Sequence, residues 1–95
     1  MRTRDLYATL RELVPKLLDR SGELIVGWTE RADPIWRLGE RWVRVEIVTT
    51  MQLLVIAGQG DKTLTQRTHL VSEDLPSIAL EVAQLLSGVA PVPTP

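Results

Sequence analysis

Three of the four aromatic residues of the chain, Trp28, Trp36 and Trp42, fall within one short segment that also holds Arg31, Arg37, Arg41 and Arg44. Tryptophan and arginine are the residues most enriched at the energetic centres of binding surfaces, because each joins a large contact area to a directional donor. An indole beside guanidinium groups also permits cation–π stacking, worth about 0.5–1 kcal/mol when exposed. The chemistry of this segment is therefore recognition.

Catalysis has less to work with. His69 is the sole histidine, and the sequence contains no cysteine. A single imidazole with no carboxylate at a suggestive spacing makes neither a metal site nor a general base with its orienting partner. Ser21, Ser72, Ser77 and Ser87 lack the Gly-x-Ser-x-Gly setting of an activated nucleophile. Glu30/Asp33 and Glu40/Glu46 are carboxylate pairs by proximity in sequence, and a solvated turn or strand face accounts for them. Gly58-Gln59-Gly60-Asp61-Lys62-Thr63 resembles a phosphate loop only in part. Asp61 separates the glycine from the lysine, and a strand rather than a helix follows, so the segment reads as a turn. No catalytic residue, metal site or cofactor is expected.

The elements that position these residues follow from changes in hydrophobic period. Residues 3–20 read as an amphipathic helix. Leu6, Leu10, Leu13 and Leu17 recur at helical spacing, and Tyr7, Val14 and Leu18 widen the stripe. Pro15 interrupts it, either as a kink or as the start of a second short turn through Asp19. Ser21–Gly22 closes it, with Gly22 as the residue beyond the C-cap. The period then becomes two. Residues 23–30 read as a strand with Leu24, Val26 and Trp28 on one face, and residues 31–34 as a turn. Strands follow over residues 35–38 and 41–48, and a strongly apolar one over 51–57, whose two-sided character argues for a central position in the sheet. A turn lacking Gly, Asn and Pro is expected near Thr49–Thr50. Residues 62–71 read as a polar edge strand anchored by Leu64 and Leu70. Residues 73–87 read as a second helix, capped by Ser72, favoured at its N-terminus by Glu73 and Asp74, and stopped by Gly88.

The expected architecture is α+β. An N-terminal helix, a four- or five-stranded antiparallel meander and a C-terminal helix form two layers, with both helices on one sheet face. Residues 1–89 form the single domain, and residues 90–95 form a proline-rich flexible tail.

A two-residue hairpin loop at Gly39–Glu40 pairs Leu38 with Arg41, Arg37 with Trp42 and Trp36 with Val43. Alternation then sends Trp36, Val43, Val45 and Ile47 to the core. Arg37, Trp42, Arg44 and Glu46 go to the opposite face, and these four are the candidate binding residues. Trp28 is assigned to packing with Trp36.

Net charge is −1, so no global field draws the chain to nucleic acid or to an anionic membrane. The run from Leu53 to Ala57 is too short to span a bilayer, and the first residues lack the apolar core of a signal peptide. A soluble cytoplasmic protein is expected. Helix–strands–helix is also the element order of double-stranded-RNA-binding domains. Those set basic residues at the second helix's N-terminus, where this chain has Ser72-Glu73-Asp74.

These readings converge on a non-enzymatic module that binds another protein through its Trp/Arg sheet surface. It would act as a small inhibitor, adaptor or chaperone-like protein and form a homodimer. Weak single-strand nucleic-acid binding through Trp42, Arg37 and Arg44 is the alternative.

Overall fold

The computed structural model describes residues 3–18, 21–49, 51–70 and 75–88. The stripe of Leu6, Tyr7, Leu10 and Val14 is buried along α1 (Thr3–Lys16). Pro15 sits in the last turn. There its missing N–H removes one terminal bond and the helix ends rather than kinks. The chain leaves through tight turns in which the Leu17 N–H donates to the Val14 carbonyl (3.1 Å) and the Leu18 N–H to the Pro15 carbonyl (3.3 Å). That exit turns Leu17 outward, against expectation, and buries Leu18. Ser21–Glu23 forms a 3-10 turn, and Gly22 is not in the left-handed conformation that its expected C-terminal role requires. The remainder of that expectation lies outside the described residues.

Five strands follow: β1 (Ile25–Trp28), β2 (Pro34–Leu38), β3 (Arg41–Thr49), β4 (Gln52–Gln59) and β5 (Lys62–Leu70). They form one antiparallel meander in sequential order, with β1 and β5 at the edges. Gly39 takes φ +62°, as a glycine at the first position of a type II′ hairpin turn does. The expected register follows from it: Trp36 opposite Val43, Arg37 opposite Trp42, Leu38 opposite Arg41.

The turn without glycine at Thr49 is a register shift after Ile47, closed when the Met51 N–H donates to the Thr49 hydroxyl (3.2 Å). A threonine hydroxyl here replaces the usual turn residue. β4 continues through Gln59, so Gly58 belongs to the strand rather than to the turn. The strand is interior, as its apolar character requires, although β3 is the middle one.

α2 (Leu75–Ser87) carries Pro76 in its first turn and ends at Gly88, φ +80°. Its expected caps, residues 72–74, and the tail, residues 90–95, lie outside the described residues. The core joins Leu6, Leu10 and Val14 of α1 and Ile78, Val82 and Leu86 of α2 to Trp36, Val43, Val45, Leu53 and Val55 of the sheet. Both helices thus pack on the same side, giving the two-layer α+β fold. No helix among the described residues is long and apolar enough to cross a membrane.

Candidate functional site

Among the described residues one layer of helices leaves the other sheet face uncovered, and alternation along β2 and β3 sends Arg37, Trp42, Arg44 and Glu46 there. Arg37 is exposed; the other three are half-buried. The Arg44 guanidinium carbon lies 5.6 Å from the Trp42 ring centroid, and Arg44 Nε pairs with Glu46 Oε1 at 3.1 Å. Beneath them Ile56, opposite Arg44 on β4, is buried on this outer face. The long polar side chains therefore cover an apolar strip.

Trp42 is held more tightly than an isolated anchor. It faces Gly58 across the β3–β4 ladder, and its six-membered ring lies against the glycine backbone. A Cβ at Gly58 would come inside 3.0 Å of both the indole and the Lys62 carbonyl oxygen. The indole N–H donates to the Gly60 carbonyl at 2.8 Å, and the Gly60 N–H donates to the Glu40 carbonyl at 2.9 Å. Trp42 thus clamps the β4–β5 turn to the β2–β3 turn. The part played by Gly58 was missed in the sequence. Its signal was there, because a glycine inside an apolar strand marks a close approach by another group.

A depression of about 620 Å³ opens beside the clamp, lined by Arg37, Glu40, Trp42, Asp61, Lys62 and Leu64 among others. Two cations, two carboxylates and two large apolar surfaces make it balanced in charge. A second, of about 440 Å³, lies next to Arg44 and Glu46, with Glu30 and Arg31 on its rim. A third, of about 410 Å³, lies at the far end of the core between Leu18, Leu38, Arg41 and Leu86.

Several sequence assignments require correction. Trp28 is half exposed rather than part of the core. It ends a short edge strand. The Arg11 guanidinium lies 4.3 Å from its centroid, and the Tyr7 ring 6.4 Å away at 53°. Leu64 and Leu70 do not anchor β5 either, being 57% and 50% exposed. A register shift at Gly58 sets Leu64, Gln66, Thr68 and Leu70 on the outer face, and Thr65, Arg67 and His69 on the helix side.

The buried residue of β5 is therefore His69. Spacing suggested no carboxylate partner for it, yet α2 supplies one from a distant part of the chain. Glu81 is equally buried, its Oε2 contacts His69 Nε2, and its Oε1 accepts from Arg67 at 3.1 Å. Neither His69 nor Glu81 lines any of the three depressions.

Asp33 also departs from the solvated role expected of it. Its Oδ1 accepts from the Tyr7 hydroxyl at 2.7 Å, and that hydroxyl in turn accepts from the Ile47 N–H at 3.1 Å. Burial first, and then the bond to Asp33, push the phenol well above its ordinary pKa. Thr29 holds the carboxylate's own turn: its N–H donates to the Asp33 carbonyl (2.8 Å), and its hydroxyl accepts from the Asp33 N–H (3.2 Å). Among the described residues no three His, Cys, Asp or Glu side chains group as a metal site would need.

Comparison with protein-family models, with curated proteins and with solved structures finds no match to this chain. A functional reading therefore rests on the geometry.

Proposed function

We propose that this chain is a non-enzymatic protein-binding module whose recognition surface is the uncovered sheet face around Arg37, Trp42, Arg44 and Glu46. The observation that carries the reading is the one-sided placement of the helices. It leaves a β surface on which an indole, paired charges of both signs and a depression of about 620 Å³ adjoin. A pre-organised aromatic anchor with a polar rim is the usual anatomy of a protein interface. The local balance of charge suits a protein partner better than a polyanion, whose binding scales with the number of phosphates neutralised. The His69–Glu81 pair is read as structural, because it lines none of the three depressions described above. Inhibitor, adaptor and chaperone-like roles, in the cytoplasm, are the forms such a module takes.

The test is capture from source-cell lysate with tagged wild type, Arg37→Glu and Leu80→Arg, with and without nuclease. Arg37 is exposed on the outer face, and Leu80 is exposed on α2. The proposal expects a nuclease-resistant protein retained by wild type and Leu80→Arg and lost with Arg37→Glu. A partner held equally by Arg37→Glu would overturn it, and a partner lost on nuclease treatment would favour the nucleic-acid alternative.

A further inference from the structure

The two edges of the sheet differ. β1 is four residues long and carries Gly27 in its middle. β5 is nine residues long, free of proline and glycine, and last in the sheet. A long regular edge is a template for another strand unless something blocks it. The side chains of β5 show which strand fits. From Leu64 to Leu70 the sequence is Leu-Thr-Gln-Arg-Thr-His-Leu, nearly symmetric about Arg67. The register shift leaves Leu64 as the extra residue between Thr63 and Thr65, on the same face as Gln66, Thr68 and Leu70, and Thr65–Leu70 pairs with β4 without interruption.

We propose that two copies of the chain associate through antiparallel pairing of β5 with β5, in the register that places Arg67 on the two-fold axis, forming one continuous ten-stranded sheet. In that register each exposed Leu64 meets Leu70 of the other copy on the outer face. The two exposed apolar side chains of the strand thereby cover each other twice. Gln66 lies opposite Thr68, a pair able to hydrogen bond, and Thr65 lies opposite His69 on the helix side. Opposed pairs of this kind are the unit of sheet stabilisation.

Two features oppose this register: the bulge at Leu64, which twists that end of the edge, and Arg67, since like charges face each other at the axis and an inward-pointing charge can protect an edge. Here each Arg67 brings its own counter-charge, Glu81 at 3.1 Å, so the axis gathers two cations and two anions. A two-fold contact needs only a self-complementary patch, and this stretch supplies one. The inference does not rest on the protein-binding reading: the pairing runs along β5 and meets the Arg37–Trp42 surface only at Leu64, and Arg37→Glu leaves the pairing intact.

The absence of cysteine from the sequence makes the register directly testable. Leu64→Cys and Leu70→Cys replace exposed side chains and leave the core untouched. Within one chain the two positions are roughly 20 Å apart along the strand, too far for an internal disulfide. In the proposed dimer position 64 faces position 70 of the other copy, and equivalent positions are likewise about 20 Å apart. Under mild oxidation a mixture of the two single variants is expected to form a covalent dimer, and each single variant alone is not. Sedimentation equilibrium of the unmodified chain is expected to give a dimer. A monomer throughout, a dimer in which the mixture does not cross-link, or single variants that cross-link as readily as the mixture would overturn the proposal.

Discussion

Tyr7→Phe removes one oxygen and two hydrogen bonds. The Tyr7 hydroxyl donates to the Asp33 carboxylate and accepts from the Ile47 N–H, tying α1 to the β1–β2 turn and to β3. A hydrogen bond to a charged group contributes about 1.5–3 kcal/mol, and a buried donor left without an acceptor costs about 1–3 kcal/mol. Asp33 is half-buried and recovers part of its loss through water, so the expected destabilisation is about 2–3 kcal/mol. For a domain of this size that lowers Tm by roughly 10–20 °C.

The same substitution has a pH signature. Tyr7 holds its proton in the folded chain well above the ordinary tyrosine value, because burial and the bond to Asp33 disfavour the phenolate. Unfolded chains ionise near pH 10. Above that pH the native state keeps a proton that the unfolded state has lost, so stability falls as pH rises, by at most about 1.4 kcal/mol per pH unit for this group. The stabilisation due to Tyr7 is thus fully present below about pH 10 and is lost as pH climbs toward the folded-state pKa. Urea unfolding of wild type and Tyr7→Phe from neutral to strongly alkaline pH isolates the effect, and the lysines cancel in the difference. Tyr7 is the only tyrosine, so phenolate absorbance follows its ionisation directly. A folded protein whose phenol titrates at the ordinary value, or a difference between the two proteins that does not shrink above pH 10, would refute the reasoning.

Two further substitutions probe the contacts around the site. Gly58→Ala forces a methyl group into the indole of Trp42 and the Lys62 carbonyl; overpacking of this kind costs about 1–3 kcal/mol, and an unchanged Tm would show that the clamp is not close-packed. Glu81→Ala removes the carboxylate shared by His69 and Arg67 and is expected to cost about 1.5–3 kcal/mol. Arg67→Ala, at a side chain half exposed to water, is expected to cost about 1 kcal/mol or less; equal losses on chemical denaturation would contradict this order.

The periodic elements were legible in the sequence because each had a face to bury. The switch from helical to two-residue period located both helices and the meander, and Gly39 fixed the β2–β3 register on which the whole Trp42 face depends. Less legible was whatever depended on a partner distant in sequence. Glu81 and His69 meet only because α2 folds back over the sheet, and no spacing along the chain encodes that contact. Trp28 looked like core by residue type, yet its place at the end of a short edge strand leaves half of it in water. Leu64 and Leu70 looked like anchors, but the register shift at Gly58 turns their side of β5 outward. Leu17 lost its place on the helical stripe to Leu18 because Pro15 ends the helix one turn early.

The claim at the centre of this account is that the uncovered sheet face, not the helical layer, meets the partner. A photo-reactive amino acid placed at Arg37, and in a second protein at Leu80, tests it most directly, since both positions are exposed and lie on opposite layers. After irradiation in cells, the account predicts covalent adducts to a distinct protein from position 37 and none from position 80. Adducts from position 80 with none from position 37 would contradict it.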